Sequence, residues 1–257
     1  MATIASWNVN SIKARLGNVT AWLDTFKPDV LLLQELKCQE ETFPALEVRG
    51  LGYHYEIVGQ KSYNGVGIFS TEPITVRTRA LPGDENDSQA RYLEAETHGV
   101  LVASIYLPNG NPVASDKFPY KLNWMKRLEA HARSLLDEEK ILVLGGDYNV
   151  IPEAVDCYDP QAWRGDALFR PESRQALRRL IHQGFTDAYR QVHPKTQGYT
   201  FWDYQGGAWQ NDLGIRIDHL LLSPQAADRL QDCSIDRKPR GAEKASDHTP
   251  IWCKLDV

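Results

Sequence analysis

The sequence predicts an α/β protein in which two mixed β-sheets pack together and helices cover their outer faces. Short apolar runs that indicate buried strands alternate with segments of helical periodicity, and the second half of the chain echoes the first. No low-complexity linker separates the halves. With 257 residues, 42% of them hydrophobic, the chain can bury one large core, so we expect a single domain over residues 1–257.

The first half is predicted to open with a strand, a helix and a second strand. The first strand covers residues 2–9, and a helix over residues 11–26 has apolar positions at helical spacing until Pro28 stops it. The second, buried strand is Val30–Gln34, directly before an acid. Several β-rich segments separated by turn residues follow, at residues 53–59, 66–70, 74–79, 92–97 and 100–107.

The second half is predicted to repeat this succession of helices and strands. A long amphipathic helix over residues 115–136 precedes an apolar strand at residues 141–144. A polar connection then leads to a helix over residues 172–182. Later strands are expected at residues 199–204, 217–222 and 251–255.

The composition argues against a protein that holds nucleic acid chiefly by charge. The formal net charge is -5, whereas such proteins are normally basic, although an acidic body can still carry a local basic face. The four cysteines form no C-x-x-C pair, and scattered thiols favour a reducing cytoplasm. We recognise no signal peptide and no apolar run of membrane-spanning length, so we expect a cytoplasmic protein without a membrane partner.

Two short stretches give the strongest indication of a catalytic site. Asp147 and Asn149 follow an apolar strand and two glycines, and alternation along an extended chain places them on one face. A carboxylate and an amide in this position can hold a water molecule between them. Later in the chain, Asp247 and His248 stand side by side before another strand. A base for water and a proton-bearing partner for phosphate oxygens are what cleavage of a phosphate ester requires.

Oxygen ligands for a divalent cation are predicted at the ends of several core strands. Asn8 lies at the end of the first strand, Glu35 follows the second, and Asp147 and Asp247 stand at comparable places later in the chain. Functional residues of layered α/β folds gather at such strand ends. Carboxylates, amides and waters suit Mg²⁺ or Mn²⁺ better than zinc. We therefore predict a magnesium site at which manganese can substitute.

Further side chains at strand ends extend this prediction. Tyr106 precedes a Pro-Asn-Gly turn, where its phenol could hydrogen-bond a phosphate or a leaving oxygen. Arg216 and Asp218 are expected on one face of an incoming strand, and Asp218 would orient a histidine and raise its pKa. His219 should point to the opposite face and have a structural role.

A basic run and several aromatic side chains predict contacts with nucleic acid. The basic run includes Lys238 and Arg240 and lies directly before the proposed site, where it could contact backbone phosphates. Phe201, Trp202 and Trp209 lie in or near predicted loops and strand edges. The glycine-rich segment before Trp209 is a poor place to bury an indole, so stacking on a base is a reasonable role for it.

Taken in order, these motifs resemble the exonuclease III family of abasic-site endonucleases, and the resemblance covers essentially the whole chain. The motifs are Ser6-Trp7-Asn8-Val9-Asn10, Leu33-Gln34-Glu35, Asn64-Gly65-Val66-Gly67-Ile68, Tyr106-Leu107-Pro108-Asn109, Gly146-Asp147-Tyr148-Asn149, Tyr199-Thr200-Phe201-Trp202, Arg216-Ile217-Asp218 and Ser246-Asp247-His248. The resemblance implies an α/β/β/α sandwich like that of deoxyribonuclease I. It also implies a Mg²⁺-dependent enzyme of base excision repair that cuts DNA 5′ to an abasic site and can trim 3′ ends.

The resemblance also implies a division of roles among the acids and amides. Glu35 would be the main metal ligand, with Asn8 and Asp247 close to it. Asp147 would activate the attacking water, and Asn149 would help to place that water and the phosphate.

Around the scissile phosphate, the resemblance implies that His248, oriented by Asp218, binds the phosphate. Tyr106 and Asn109 would contact it as well, and Tyr106 would assist departure of the 3′ oxygen. Asn10 stands where some members carry an acid, which leaves the number of metal ions open.

The implied partner is duplex DNA with an abasic site or a 3′ end, bound by a monomer that needs no protein partner and associates with the nucleoid if the source is bacterial. Phe201 and Trp202, with Leu213, match the place where the family walls its abasic pocket. The residues expected to contact DNA are Asn10, Asn109, Phe201, Trp202, Trp209, Arg216, Lys238 and Arg240.

Two other functions stay open at this point. A phosphatase or phosphodiesterase of the same fold, acting on inositol phosphates or lipid headgroups, would share the metal and the His/Asp set, but it would favour an exposed apolar loop. A DNA-damage binding protein would have no use for a water-activating carboxylate that repels phosphate. The balance among abasic-site, 3′-end and exonuclease activities depends on loops at residues 158–169 and 205–214, whose shapes periodicity does not provide.

Overall fold

The computed structural model describes residues 1–257, whose strands form two six-stranded sheets. In chain order the strands are β1 (Ala2–Asn8), β2 (Val30–Gln34), β3 (His54–Val58), β4 (Val66–Ser70), β5 (Thr75–Thr78), β6 (Tyr92–Thr97), β7 (Val100–Tyr106), β8 (Leu142–Asp147), β9 (Thr186–Asp187), β10 (Asp218–Leu222), β11 (Leu230–Ile235) and β12 (Ile251–Leu255). The helices are α1 (Leu16–Phe26), α2 (Ala45–Gly50), α3 (Lys117–Leu136), α4 (Pro171–Ile181), α5 (Ala188–Val192) and α6 (Pro224–Ala227). None of these helices has the length and apolar character needed to cross a bilayer.

Strand directions bring many strand ends to one edge of the molecule. The first sheet has the order β11-β12-β1-β2-β4-β3, and the second has the order β5-β6-β7-β8-β10-β9. β1 is parallel to β2 and antiparallel to β12, while β8 is parallel to β7 and antiparallel to β10. Parallel strands end at the same edge, and their antiparallel neighbours begin there. The edge therefore combines the carboxyl ends of β1, β2, β7 and β8 with the starts of β10 and β12.

Apolar clusters hold the sheets and helices in four layers. One cluster joins the facing sides of the two sheets, for example through Leu32 of β2 and Val143 of β8. A second cluster packs the first sheet against α1 and α2, with Trp7 at its centre. A third packs the second sheet against α3 and α4 through Trp124 and Leu177. This architecture confirms the predicted fold class of two packed, helix-flanked mixed sheets.

Two glycines in β8 permit the close packing that leads the strand to the functional edge. A Cβ atom at Gly145 would lie 2.5 Å from Leu32 Cδ1 of the facing sheet. A Cβ atom at Gly146 would lie 1.9 Å from the carbonyl oxygen of Ile105 in the neighbouring strand. Larger side chains would force these strands apart. The strand continues through both glycines to Asp147, three residues beyond the predicted end at residue 144.

Helix α1 begins at Leu16, later than the predicted start at residue 11. Asn10 and Ser11 have φ values of 44° and 88°, which are left-handed and incompatible with a continuing helix. The Ser11 N–H donates to the carbonyl oxygen of Glu35 at 2.7 Å. This tether holds the end of β1 beside the segment after β2, and the helix forms only after it.

The strand predicted at residues 199–204 does not form. Only Phe201 pairs within it, with Ile215 on one side and His248 on the other. The segment thus bridges two parts of the functional edge. β11 was not predicted, because half of its residues are polar and only Cys233 is buried. Helices α2 and α5 are too short to show a periodicity.

Candidate active site

Two acids and one histidine from different strand ends meet at this edge. Glu35 follows β2, Asp147 ends β8 and His248 precedes β12. One oxygen or ring nitrogen from each of the three lies within 4.8 Å of the corresponding atoms of the other two. Asp147 and His248 are buried, and Glu35 is partly exposed. The carboxylates of such a group can hold a divalent cation.

Asn8 holds the two carboxylates together. Its Nδ2 donates to Glu35 Oε1 at 2.8 Å and to Asp147 Oδ2 at 2.9 Å. Its Oδ1 accepts a hydrogen bond from the backbone N–H of Asn10 at 3.0 Å. Asn8 thus offers N–H groups to the acids and positions both carboxylates. Its ligation of a metal stays a prediction.

His248 lies between two buried aspartates. Its Nδ1 is 2.8 Å from Asp218 Oδ2, and its Nε2 is 3.7 Å from Asp147 Oδ2. Burial alone would lower the pKa of the imidazole, but Asp218 and Asp147 outweigh it and raise the pKa of His248 to about 10. The histidine is therefore an imidazolium at neutral pH, with its Nε2–H free for an anionic ligand.

Asp147 is arranged as a base near neutral pH. Burial raises the pKa of its carboxyl to about 7, although the cation of His248 acts in the opposite direction. The Asn149 N–H donates to Asp147 Oδ1 at 2.9 Å, and Asn8 Nδ2 holds the other oxygen. A carboxyl group with such a pKa, fixed on both sides, is suited to take a proton from water.

Glu35 has a pKa below its ordinary value although it is partly enclosed. Burial would raise the pKa of Glu35, but Lys37 and the Asn8 side chain outweigh that effect. Lys37 Nζ lies 2.8 Å from Glu35 Oε2 and donates to Asn10 Oδ1 at 2.6 Å. Lys37 was absent from the predicted site. The only signal was a lysine two residues after the strand-end acid.

The predicted phosphate-contacting residues form the floor of the site. Asn109 Nδ2 donates to Asn149 Oδ1 at 3.1 Å, and Asn149 Nδ2 donates to the carbonyl oxygen of Leu107 at 2.9 Å. Burial, followed by the charges of Glu35 and Asp147, raises the pKa of Tyr106 well above its ordinary value. The Tyr106 phenol therefore stays protonated and can donate a hydrogen bond.

A buried lysine that sequence reasoning missed supports this floor from behind. Lys121 lies on α3 and is fully buried. Its Nζ donates to the carbonyl oxygens of Pro108, Asn109 and Asn149 at 3.1, 3.1 and 2.6 Å. Burial lowers the pKa of Lys121 to about 7. The available signal was spacing, since Lys121 lies three residues after Phe118 on the buried stripe of the helix.

These groups open onto a cavity of about 270 Å³. Its polar wall consists of Glu35, Tyr106, Asn109, Asn111, Asp147, Asn149, Asp166, Asp203, Asp247 and His248. Its apolar wall consists of Trp163, Leu168, Phe201 and Ile217. The Phe201 ring lies edge-on to the His248 ring, with centroids 5.0 Å apart. The cavity therefore places an apolar surface directly beside the imidazolium and the acids.

Trp202 does not line this cavity, which corrects the prediction of an abasic-pocket wall that includes it. The indole is fully buried, and its Nε1 donates to Asp212 Oδ1 at 2.9 Å. Trp202 therefore braces the loop that follows it. The wall is made instead by Phe201 together with Trp163 and Leu168, two residues from the polar connection after β8.

Trp209 and Leu213 pack in the same cluster as Trp202. The Trp209 ring lies edge-on to Trp202, with centroids 4.9 Å apart, and Leu213 packs against the same cluster. The guanidinium groups of Arg237 and Arg240 lie 5.3 and 5.5 Å from the Trp209 ring centroid. Trp209 is thus half-buried among internal contacts, which leaves little of the indole free to stack on a base.

Arg216 lies in a separate buried cluster, so the prediction that it contacts DNA is wrong. Its Nε donates to Asp156 Oδ1 at 2.6 Å, and its Nη1 lies 2.8 Å from Asp187 Oδ2. β10 begins only at Asp218, so strand alternation does not extend back to Arg216. Arg216 contacts His219 instead, at 3.1 Å, and the buried His219 has the structural position expected of it.

The remaining predicted residues lie on the rim or beside it. Asn10 Nδ2 donates to Asp247 Oδ1 at 3.1 Å, which places this amide next to a cavity acid. Arg240 is only 8% exposed and donates to the carbonyl oxygen of Trp202 at 3.0 Å. Lys238 is exposed but lines a different groove beside α1.

A model described as the Endonuclease/Exonuclease/phosphatase family matches residues 5–248, a span that contains every acid of the site and its histidine. The chain belongs to this family. Exodeoxyribonuclease III of Haemophilus influenzae is 33% identical over 262 aligned residues, which cover 97% of this chain and 98% of that protein. The resemblance inferred from the motifs is confirmed.

Solved structures agree with the match in sequence. An AP endonuclease from Archaeoglobus fulgidus has a TM-score of 0.96 and 39% identity, and all of both chains is covered. The 3′ phosphatase NExo from Neisseria, bound to a product DNA hairpin, has a TM-score of 0.97 and 40% identity, again over all of both chains. The likeness therefore includes both sheets and the edge at which the site lies.

Proposed function

We propose that this protein is a metal-dependent DNA repair nuclease that hydrolyses the phosphodiester 5′ to an abasic site in duplex DNA. It would also act at 3′ ends as an exonuclease and a phosphodiesterase or phosphatase, within base excision repair. The observation that carries this proposal is the convergence of Glu35, Asp147 and His248 beside an apolar-walled cavity. Relatives named as an exodeoxyribonuclease, an AP endonuclease and a 3′ phosphatase support it.

Mg²⁺ is the proposed cofactor, with Mn²⁺ as a substitute. The donor set fits a hard cation, because Glu35, Asp147 and Asp247 line one cavity and offer carboxylate oxygens. We assign Glu35 as the main ligand, with Asn8 and Asp247 close to it. When bound, the cation would offset negative charge on the phosphoryl oxygens.

Residues of the chain supply the proton transfer and the remaining electrostatic stabilisation. Asp147 takes a proton from the water that attacks phosphorus, while the amides of Asn8 and Asn149 fix its two oxygens. As the new P–O bond forms, the bond to the 3′ oxygen breaks. His248 donates from Nε2 to a phosphoryl oxygen, and the protonated phenol of Tyr106 donates to the phosphate or to the departing oxygen.

The apolar wall provides selectivity for a nucleotide without a base. A volume of about 270 Å³ is small for a ligand site, and its Trp163, Leu168 and Phe201 surfaces suit a bare deoxyribose. Asn109 and Asn10 would contact the DNA beside this cavity.

We further propose that residues 1–257 form one catalytic domain that acts as a monomer, because this chain provides every side chain of the site. The proposed location is the cytoplasm, in association with the nucleoid if the source is bacterial. All four cysteines are buried and unbonded, as expected in a reducing compartment.

The decisive experiment measures cleavage of matched duplexes that carry an abasic analogue, a 3′-phosphate or a plain recessed end, each with Mg²⁺ and with chelator. We expect Mg²⁺-dependent incision 5′ to the analogue. Asp147→Asn should reduce kcat by roughly 10²–10⁴-fold with folding and DNA binding nearly intact, since it removes the base. Asp24→Asn, an exposed change on α1, is the matched control and should cleave normally.

Three outcomes would contradict these assignments. A near-normal rate for Asp147→Asn would mean that another group is the base. Tight binding of abasic DNA without turnover would favour a damage-binding protein. Turnover of inositol phosphates with no action on DNA would favour the phosphatase alternative.

A further inference from the structure

A second cavity, of about 390 Å³, lies beside the catalytic one and is walled by cations. Its charged lining consists of Arg15, which follows β1, and of Arg240 and Lys244, which precede the Asp247-His248 pair. Tyr204 and small alanines complete the wall, and no acidic side chain lines it. In a chain whose formal net charge is -5, a cavity with only positive charge in its lining is a local exception.

The three cations have no carboxylate partner, although most arginines of this protein do. Neighbouring Arg237, for example, pairs with Asp212 at 2.7 Å. The Nε atoms of Arg15 and Arg240 are both buried and make no hydrogen bond. Arg240 is only 8% exposed, so its unpaired donor is costly unless a ligand satisfies it. The cavity is therefore short of negative charge.

The Tyr204 hydroxyl connects this cavity to the catalytic one. It accepts hydrogen bonds from Arg15 Nη2 at 2.8 Å and from Asn10 Nδ2 at 3.3 Å, and it donates to the carbonyl oxygen of Ala245 at 2.9 Å. The same Asn10 Nδ2 also donates to Asp247 Oδ1 at 3.1 Å. A single amide nitrogen thus joins the cationic cavity to an acid that lines the catalytic cavity.

The chemistry of this lining fits a phosphate group. Arginine presents several N–H donors to phosphate oxygens, and lysine adds a mobile point charge. Phosphates recur along one DNA strand at about 3.4 Å of axial rise per nucleotide. A strand whose scissile phosphate lies at His248 would therefore bring another phosphate to a cavity this close.

We propose that Arg15, Arg240 and Lys244 form a second phosphate site, which holds a backbone phosphate of the cleaved strand within a few nucleotides of the scissile bond. This proposal rests on the proposed nuclease function. The site adds affinity and sets the register of the strand, while the chemistry stays with Asp147 and His248. It also assigns to Arg15 a role that no sequence motif indicated.

The test uses Arg15→Gln and Lys244→Gln, which remove the charge, keep a polar side chain and alter residues at least partly exposed. Each should raise KM for the abasic duplex by about tenfold with kcat unchanged, and should reduce the slope of log affinity against log salt by about 1. Lys126→Gln, an exposed change on α3, is the matched control and should alter neither quantity.

A scan with single methylphosphonate linkages distinguishes a backbone phosphate from a free anion. One neutral linkage near the abasic site should raise KM for the wild type and have no further effect in the Arg15→Gln, Lys244→Gln double variant. The contrary outcome is that no single neutral linkage raises KM, while inorganic phosphate competes with DNA for the wild type but not for the double variant. In that case the site takes free anions and the proposal is overturned.

Failure of the second site is distinguishable from failure of the nuclease function. Wild-type cleavage with unchanged KM and salt slope in both variants would refute the second site alone. If the wild type does not cleave, binding of the abasic duplex in chelator replaces KM as the readout. An unchanged salt slope in the variants would then refute the second site as well, whereas a reduced slope would support it.

Discussion

Two buried polar clusters flank the start of β10, and they differ in charge balance more than in composition. In one, His248 lies between Asp147 and Asp218, and the group opens onto the catalytic cavity. In the other, Arg216 lies between Asp156 and Asp187. Both combine aspartates with a cation, and both are almost fully enclosed.

The structural cluster is electrically complete. Arg190 also pairs with Asp156, so two arginines match two aspartates. Burial would raise the pKa of Asp156, but Arg216 and Arg190 reverse that effect and hold it below its ordinary value. Burial, with Arg216 beside it, lowers the pKa of His219, which is therefore neutral at neutral pH.

In the catalytic cluster, the negative and positive side chains do not match in number. Two aspartates share one imidazole, and the carboxylate of Glu35 lies close by. The pKa values of Asp147 and His248 are raised to about 7 and about 10. Residue types and burial thus fail to separate a functional cluster from a structural one. Unmatched charge does separate them.

The largest effect should come from removing Arg216 from its cluster with Asp156 and Asp187. Arg216→Met should lower the free energy of unfolding by about 3–5 kcal/mol, because Asp187 loses its arginine and the buried Asp156 keeps only Arg190. Activity per folded molecule on abasic DNA should stay close to that of the wild type. Urea unfolding and cleavage assays measure the two quantities.

Arg133→Met is the matched control, since Arg133 forms an exposed pair with Asp137 and its loss should cost below about 1 kcal/mol. If Arg216→Met kept its stability and lost DNA affinity instead, the interpretation of Arg216 as structural would be wrong.

The next largest effect should come from removing the carboxylate of Asp218 from the catalytic cluster. Asp218→Asn should reduce kcat/KM by about 10²-fold and move the alkaline limit of activity from about pH 10 towards lower pH, because the imidazolium loses its main partner. Profiles of kcat/KM against pH at saturating Mg²⁺ test this. An unchanged alkaline limit would remove Asp218 from its proposed role.

The same variant gives a stability test whose sign is defined. The pKa of His248 is raised in the folded protein, from 6.5 to about 10, so folding is favoured by proton binding there. This contribution is complete below pH 6.5 and is lost as the pH rises towards 10. Unfolding titrations should show a shallower decline over this window in Asp218→Asn than in the wild type.

The smallest effect concerns Lys121, which holds the backbone of Asn109 and Asn149 beneath the catalytic cluster. Lys121→Met should lower kcat by about tenfold and stability by about 1–3 kcal/mol, because three carbonyl groups of the floor lose a donor. KM should change less than kcat, since Lys121 touches no substrate. Lys126→Met on the exposed face of α3 is the control. A rise in KM with kcat unchanged would argue against a positioning role.

Local pattern predicted the fold class and many element bounds. Val30–Gln34, Val66–Ser70, Tyr92–Thr97 and Ile251–Leu255 have the predicted limits, because buried apolar runs end at clear turn residues. Prediction was poorer where tertiary hydrogen bonds replaced regular structure. The late start of α1 and the absence of a strand at residues 199–204 are the main examples.

Motif reasoning found Glu35, Asp147 and His248 but misassigned residues whose neighbours are distant in sequence. Arg216 has a partner 60 residues away, and no local pattern shows that Asp156 neutralises it. Trp202 turned inward for a different reason, since the nearby Asp212 binds its indole and a local cluster encloses it.

By itself, the sequence determined which segments are buried and which strand ends carry acids, amides and histidines, because periodicity records burial directly. Only the tertiary structure decided which of those charged groups are neutralised. The pKa and the accessibility of a buried group depend on atoms that folding brings from remote parts of the chain. For that reason Asp147 and His248 form a candidate reaction centre, whereas Arg216 and Asp156 form an internal brace.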